Sequence, residues 1–420
     1  MKNRPLGTVF PMTGYVGFIA LLISVLIFRN DPLHLGDLNS GLFCLVLAAG
    51  SMAIIEAFVL WRSSGDDQNA MFISPSFKSL RDGLIDKDLL IKIYGQFIIF
   101  GLLWAAYQIF PIYQSESYKA VMSLLKSFFP IMISVTVLYI WITHTMLLEK
   151  RDALWNLGCY FLFLNRRTLS KDKISSCILS WIIKGFFWPL MMSYFLTEWQ
   201  HMANNLNWMN LPSDYRLSSS LFEDSYRFLY FIDLSFAIIG YSLSLRLLNT
   251  QIIMPDKSIK GWVVCIICYA PFWPIISQNY INYWDNISWG NTLYEYPVLY
   301  TIWGSAILLV VSFYVYASVC FGLRFSNLTL RGTITHGPYA LVKHPAYIAK
   351  NLSYWMIELP FLAASPVLAI KNCAMLLALN LIYYYRAKTE EALLRQDPVY
   401  VDYCEWMDRK RFLGFLRRAP

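Results

Sequence analysis

Long apolar runs separated by short polar segments dominate this chain. Ten of these runs contain about 20 residues, enough to cross about 30 Å of hydrocarbon at about 1.5 Å per helical residue. They lie near residues 9–28, 40–61, 93–112, 127–148, 177–197, 228–248, 261–280, 298–320, 346–362 and 367–385. The pattern predicts an all-α integral membrane protein with about ten transmembrane helices.

The composition agrees with a membrane protein. Of the 420 residues, 57% are hydrophobic and only 15% are charged, whereas soluble domains contain about 25% charged residues. The net charge of +8 is distributed over many loops. This distribution favours contact with anionic lipid headgroups and gives no reason to expect a nucleic-acid partner.

The positions of lysine and arginine predict the orientation in the membrane. When both termini are placed in the cytoplasm, most of the 35 basic residues lie on that side, in line with the positive-inside tendency. The loop 149–176 contributes most, and its apolar centre, 155–164, is too short to cross, so it is expected at the interface. Segment 198–227 is expected to be a long outer loop. Lys184 and Lys350 fall inside predicted spans.

Polar and ionisable residues gather in the last fifth of the chain. The segments are HGPYALVKHPAY at 336–347, RAKTEEALL at 386–394 and VYVDY at 399–403. His344 and Pro345 predict a helix start, whose unpaired N–H groups favour an anionic or acceptor group of a ligand. Ser365 and Pro366 predict the turn of a hydrophobic hairpin.

The second half of this hairpin carries two acids in tandem. Glu390 follows Arg386 by four residues, so it shares a helix face with Arg386, while Glu391 points about 100° away. Because the hairpin returns to the cytoplasmic side, we expect His344 and Glu390 to face each other across a small cytoplasmic mouth.

These motifs, taken in order, resemble a known enzyme superfamily. The run H-G-P-Y-x-x-x-[KR]-H-P-x-Y, the hairpin, R-x-x-x-E-E-x-x-L and Y-x-x-Y are similar to the isoprenylcysteine carboxyl methyltransferases and phospholipid methyltransferases. Those integral membrane enzymes use S-adenosylmethionine. The resemblance covers about residues 330–405. It implies a methyltransferase-like core over 226–420 with a cytoplasmic cofactor site, preceded by a transmembrane region of unknown role over 1–225 with about five spans.

The resemblance also implies roles for individual residues. Cofactor contacts are expected from the turn, the helix start, the paired acids and two tyrosines, namely Gly337, Pro338, Tyr339, Lys343, His344, Pro345, Tyr347, Glu390, Glu391, Tyr400 and Tyr403. Arg386 is expected to orient a carboxylate or the methyl acceptor. His336 and Glu391 are the candidate bases if the acceptor is an amine or a thiol.

The chain differs from the superfamily pattern at three places. Lys343 stands where arginine is usual, Ala349 where glycine is usual, and Asp397-Pro398 where a glycine is usual. No metal is expected, since zinc sites typically need two Cys-x-x-Cys pairs, and the single pair Cys265 and Cys268 is interpreted as packing.

The expected acceptor carries a lipid or prenyl tail and a carboxylate, amine or thiol head, in a bacterial inner membrane or a membrane of the endoplasmic reticulum type. Two alternatives remain. The chain is also similar to NADPH-dependent sterol reductases, although the paired acids at 390 and 391 suit S-adenosylmethionine and would repel the extra phosphate of NADPH. The other alternative is a non-catalytic membrane protein with a decayed cofactor module.

Overall fold

The fold is almost entirely helical. A computed structural model describes residues 4–29, 31–63, 86–146, 149–164, 167–205, 217–285 and 287–410. Their α-helices are α1 (Pro11–Phe28), α2 (Asp37–Ser63), α3 (Lys87–Ile109), α4 (Glu116–Met146), α5 (Ala153–Phe161), α6 (Lys171–Asn205), α7 (Ser219–Ser242), α8 (Ile259–Ile266), α9 (Phe272–Asn279), α10 (Trp289–Leu293), α11 (Pro297–Val319), α12 (Pro345–Glu358), α13 (Pro366–Leu394) and α14 (Pro398–Lys410). Two short strands, β1 (Met254–Pro255) and β2 (Thr329–Leu330), and several 3₁₀ turns complete the described elements.

Seven of the described helices are long and apolar enough to cross a membrane. They are α1, α2, α3, α4, α6, α11 and α13. The sequence prediction of an all-α fold is confirmed, and these helices fit an integral membrane protein. The predicted orientation of the termini and the count of ten spans stay predictions.

The predicted span 261–280 is wrong as a single helix. Helix α8 ends at Ile266, and α9 begins at Phe272 directly after Pro271. Proline lacks an N–H donor and cannot continue the preceding helix, so it separates the two. Each has eight residues and is therefore about 12 Å long, far short of a bilayer core.

The two described ends of the predicted outer loop 198–227 are helical, whereas residues 206–216 lie outside the described residues. Helix α6 continues to Asn205, and α7 starts at Ser219, where the Ser218 side chain accepts a hydrogen bond from the Leu221 N–H. Polar residues are accommodated because they pair with each other, as His201 Nε2 and Asp224 Oδ1 do at 3.0 Å. The expected interfacial segment 155–164 contains the short helix α5 and ends in exposed apolar side chains.

The chain divides into two compact units, and one of them comprises residues 56–193 and 244–255. In this unit α3 and α5 lie backbone to backbone, because a Cβ atom on Gly95 would come within 2.8 Å of the Leu154 carbonyl oxygen. Buried charges are paired here. Asp152 Oδ2 accepts from Lys92 Nζ at 3.0 Å and from an Arg246 nitrogen at 2.9 Å.

The other unit comprises residues 1–55, 194–243 and 256–420. Its centre is formed by α7, α11 and α12, and α7 is buried on all sides from Phe231 to Tyr241. The Arg331 guanidinium donates to the backbone oxygens of Gly240, Leu323 and Phe325 at 2.8–2.9 Å. The predicted functional residues of the C-terminal part all belong to this unit. The predicted functional boundary near residue 225 is not tested by this division and stays a prediction.

The segment before α1 is tied to the same unit. The Thr8 N–H donates to the Thr333 carbonyl oxygen at 2.9 Å, and the Thr8 hydroxyl accepts from the Thr333 N–H at 2.7 Å. Val9 is buried against Ile334 and Tyr339. Residues 4–10 therefore pack against a loop that lies more than 300 residues later in the chain.

Candidate functional site

A cavity lies where the C-terminal motifs converge. Its volume is about 1090 Å³, including the part open to solvent. Pockets that bind organic ligands have about 300–1,000 Å³, so there is room for such a ligand. Eight of the thirteen predicted site residues line the cavity, namely Tyr339, Lys343, His344, Tyr347, Arg386, Glu390, Tyr400 and Tyr403.

The start of α12 forms one side of the cavity. Pro345 occupies the first helical position, where its missing N–H is not needed. His344 precedes it, and the rings of His344 and Tyr347 lie nearly parallel, with centroids 5.6 Å apart and 6° between the planes. The two aromatic rings give a flat surface suited to stacking.

The end of α13 supplies the paired acids. This helix continues through Leu394 instead of ending near residue 385. The Tyr347 hydroxyl donates to Glu390 Oε2 at 2.6 Å, whereas His344 Nε2 lies 3.1 Å from Glu391 Oε1. The predicted opposition of α12 and α13 is present, but His344 faces Glu391 and not Glu390.

The two acids differ in what remains available to a ligand. Glu391 is also 3.8 Å from Lys388 Nζ and does not line the cavity. Glu390 does line it, and no basic nitrogen of the described residues lies within ion-pair distance of its carboxylate. Glu390 is therefore the carboxylate that a ligand in the cavity would meet.

Arg386 lies on the same face of α13, one turn before Glu390. Its NH2 group donates to the Tyr269 hydroxyl at 3.1 Å and to Asn327 Oδ1 at 2.6 Å. The guanidinium carbon lies 5.3 and 5.2 Å from the ring centroids of Tyr269 and Tyr347. All of these partners are neutral, so the positive charge of Arg386 stays available to the cavity.

The turn after His336 closes the site from another side. Gly337 has φ +57°, and a Cβ there would come within 2.6 Å of Cys320 Sγ, so only glycine fits. Tyr339 follows and reaches the cavity, and its carbonyl oxygen accepts from the Tyr403 hydroxyl at 2.7 Å. Burial raises the pKa of Tyr400 and Tyr403, so both phenols are neutral.

Five predicted site residues do not reach the cavity wall. They are His336, Gly337, Pro338, Pro345 and Glu391. Burial, with a smaller effect of Arg4, lowers the pKa of His336 to about 4. The imidazole is thus neutral at physiological pH, yet it lies away from the wall, which gives it no access to an acceptor in the cavity. Lys343 lines the cavity and binds Asp408 Oδ1 at 2.9 Å.

Two departures from the superfamily pattern have local explanations. Ala349 is 2% exposed, so its methyl group is accommodated in close packing. Asp397 caps the start of α14 by accepting from the Val399 N–H at 3.0 Å, and its other oxygen accepts from the Thr333 hydroxyl at 2.7 Å. This anchors the helix that carries Tyr400 and Tyr403.

Sequence reasoning missed several residues of the wall. Tyr269, Tyr314, Asn327, Arg324, Arg331, Val9 and Lys350 line the cavity. Among them only Lys350 gave a signal in the sequence, as a charged residue inside a predicted span. The others come from distant elements whose convergence is a property of the tertiary fold.

The described wall is strongly basic. Five side chains with positive charge line it, namely Arg324, Arg331, Lys343, Lys350 and Arg386, against the single carboxylate of Glu390. A ligand that carries anionic groups therefore suits the cavity, provided that it also offers a group for Glu390. No protein-family model matches the chain, and no curated protein and no solved structure shows significant similarity to it.

Proposed function

We propose that this protein is an S-adenosylmethionine-dependent membrane methyltransferase that acts on a lipid-like or prenylated acceptor. The observation that carries the proposal is the convergence of α12, α13, α14 and the 337–340 turn, the elements with the superfamily motifs, on one cavity. Of the thirteen residues that the resemblance predicts for the site, eight line the same space.

The wall residues fit the chemical groups of S-adenosylmethionine. Glu390 would accept hydrogen bonds from the ribose hydroxyls or the ammonium group, with Tyr347 holding its other oxygen at 2.6 Å. The rings of His344, Tyr347, Tyr400 and Tyr403 would contact the adenine. The basic wall would attract the carboxylate. Glu391 would act indirectly, because it orients His344.

The bound cofactor would supply an electrophilic methyl group on a sulfonium. Such displacement requires the acceptor behind the methyl group and water kept away, which position and desolvation provide. Within the described wall, neither His336 nor Glu391 reaches the cavity to serve as a base. A carboxylate acceptor needs no base, so its methylation would require neither of these two residues.

The acceptor is proposed to reside in the membrane. Seven helices are long and apolar enough to span it, and each buried methylene of a lipid or prenyl tail contributes about 0.8 kcal/mol to binding. We propose that the site faces the cytoplasm, in a bacterial inner membrane or an endoplasmic-reticulum-type membrane, where soluble cofactor meets the lipid-borne head.

A second candidate is an NADPH-dependent reductase, and the basic wall favours it. Arg324, Arg331, Lys343, Lys350 and Arg386 would suit the phosphates of NADPH. Against it stands Glu390, which faces the same cavity with no cationic partner in the described structure and would repel those phosphates.

One binding experiment separates the two. Purified full-length protein in detergent is titrated with S-adenosylmethionine and, in parallel, with NADPH by calorimetry. Saturable binding of S-adenosylmethionine alone supports the methyltransferase, and binding of NADPH alone replaces it with the reductase. Incubation with methyl-labelled S-adenosylmethionine and membrane extract then tests transfer, with label expected in the lipid phase.

A further inference from the structure

Lys350 lines the cavity, and no acidic residue within the described ranges lies within ion-pair distance of it. It lies five residues after Pro345 in α12, about 8 Å along the helix axis. Its ammonium nitrogen lies 5.6 Å from the ring centroid of Tyr314. Across the described residues this ammonium group forms no hydrogen bond and no ion pair, and only the backbone oxygen of Lys350 accepts, from the Ser353 hydroxyl. A cation in such a place is costly unless something compensates it.

The nearest buried acid does not fulfil that role. Asp233 on α7 accepts from the Tyr314 hydroxyl through one oxygen and from the Ser318 hydroxyl through the other, each at 2.5 Å. It lies beyond ion-pair distance of Lys350 and does not line the cavity. Asp233 thus lowers the cost of the lysine from a distance while its own oxygens are engaged.

Arg386 brings a second unneutralised charge to the same space. Its hydrogen bonds go to the neutral groups of Tyr269 and Asn327. Arg386, Lys350 and Tyr269 all line this cavity, and Arg386 donates to the Tyr269 hydroxyl. An arginine offers a planar fork of donors and a lysine offers a compact charge, a combination that suits an oxyanion.

We infer that Lys350 and Arg386 form an oxyanion subsite that holds the acidic group of the lipid-borne acceptor, a carboxylate or a phosphodiester. The role as an acceptor site rests on the proposed function, whereas anion binding at Lys350 does not. Glu390 lies one turn beyond Arg386 on α13, so the subsite and the carboxylate proposed for the cofactor are adjacent along one helix face. The order of groups would then place the acidic head beside the methyl donor.

The subsite is tested with simple lipids on the full chain in detergent. Oleate supplies a carboxylate, dioleoylphosphatidylglycerol supplies a phosphodiester, and oleyl alcohol is the uncharged comparison. Affinity is measured by thermophoresis for the wild type and for Lys350→Met, Lys350→Arg and Lys184→Met. Lys184 is a matched control because it too is a helical lysine near an aromatic ring, with its ammonium 4.9 Å from the ring centroid of Trp181.

We expect at least one of the two acidic lipids to bind more tightly than oleyl alcohol. Lys350→Met should weaken that binding about 10-fold or more, as for a lost charged hydrogen bond, while Lys350→Arg and Lys184→Met retain it. Preference for oleate or for phosphatidylglycerol identifies the source of the oxyanion. Equal affinity of wild type and Lys350→Met for both acidic lipids would overturn the subsite.

Folding and cofactor binding are followed separately. Thermal unfolding of Lys350→Met confirms that the variant is folded. If it is not, equal affinity of the wild type for the acidic lipids and for oleyl alcohol overturns the subsite. If acidic lipids bind through Lys350 but S-adenosylmethionine does not bind to any form, the subsite stands and the methyltransferase proposal fails. If S-adenosylmethionine binds and loss of Lys350 changes no lipid affinity, the methyltransferase stands and the subsite fails.

Discussion

Two lysines on apolar helices, Lys92 and Lys350, have opposite surroundings. Lys92 is 2% exposed and pairs with Asp152, which also binds Arg246. Lys350 faces a cavity and has an aromatic ring as its neighbour. In the first case the protein compensates its own charge, so the pair serves the fold. In the second, no acid of the described residues lies within ion-pair distance of the ammonium group, which agrees with the anion subsite proposed for the cavity.

The largest effect is expected when the carboxylate that pairs with Lys92 is removed. Asp152→Asn keeps the cap at the start of α5, since asparagine caps well, but leaves Lys92 and Arg246 without a counter-charge. We expect a loss of about 3–5 kcal/mol in stability, seen as a fall of several degrees in the thermal midpoint. Glu149→Gln removes an exposed partner of Lys173 and should cost about 1 kcal/mol or less. Equal midpoints for the two variants would contradict the structural role of Asp152.

The carboxylate in the cavity should behave in the opposite way. Glu390→Gln retains an oxygen for the Tyr347 hydroxyl but removes the charge that faces the ligand. S-adenosylmethionine affinity should fall by about 1–3 kcal/mol, measured by calorimetry, while the thermal midpoint of the protein without ligand is maintained. Glu405→Gln, in an exposed pair with Arg409, is the matched control. Unchanged affinity in Glu390→Gln would remove Glu390 from the site.

His336 is a buried titratable group that belongs neither to the Asp152 cluster nor to the cavity wall. Because its pKa is lowered to about 4 in the folded state, the unfolded chain takes up a proton first as pH falls below about 6.5. Its contribution to stability is therefore present at neutral pH and is lost on acidification, by about 1 kcal/mol between about pH 7 and pH 5. The midpoint of His336→Gln should vary less with pH over this interval. Parallel pH profiles for the variant and the wild type would refute the assignment.

The smallest effect is expected at the N-terminal segment. Thr8→Val removes the hydroxyl that accepts from the Thr333 N–H at 2.7 Å. A neutral hydrogen bond contributes about 0.5–1.5 kcal/mol, so a small loss of stability is expected, together with weaker ligand binding because Thr333 also holds Asp397. Thr145→Val, which removes a hydroxyl bonded within its own helix, should leave binding unchanged. If Thr145→Val weakened ligand binding as much as Thr8→Val does, the proposed link between the Thr8–Thr333 contact and the cavity would be contradicted.

Local patterns predicted the helices and part of the site. The spacing of Arg386, Glu390 and Glu391 placed the first two on one face and the third elsewhere, and the structure agrees. The hairpin turn at Ser365 and Pro366 is confirmed as the start of α13. Each of these features depends on neighbours within one or two helical turns.

Features that depend on the tertiary fold or on a single proline were not predicted from the sequence. The break before Pro271 lies within a continuous apolar run, and hydropathy does not register the lost N–H donor. The sequence predicts His336 as a candidate base. In the structure, the φ of +57° at Gly337 begins the turn that brings Tyr339 to the cavity, while His336 does not line the wall. Asn327 and Tyr269 reach Arg386 from elements 59 and 117 residues away in the chain. The hydrophobic periodicity of the sequence does not predict such contacts between distant residues.

The pairing of Thr8 with Thr333 has a consequence for biosynthesis. The two residues are 325 positions apart, so residues 4–10 emerge from the ribosome long before their partner exists. The part of the cavity wall that contains Val9 can therefore form only after residue 333 has been synthesised. A product that lacks residues 4–10 would lose Val9 and the contacts of Thr8 with Thr333, so its cavity wall would be incomplete.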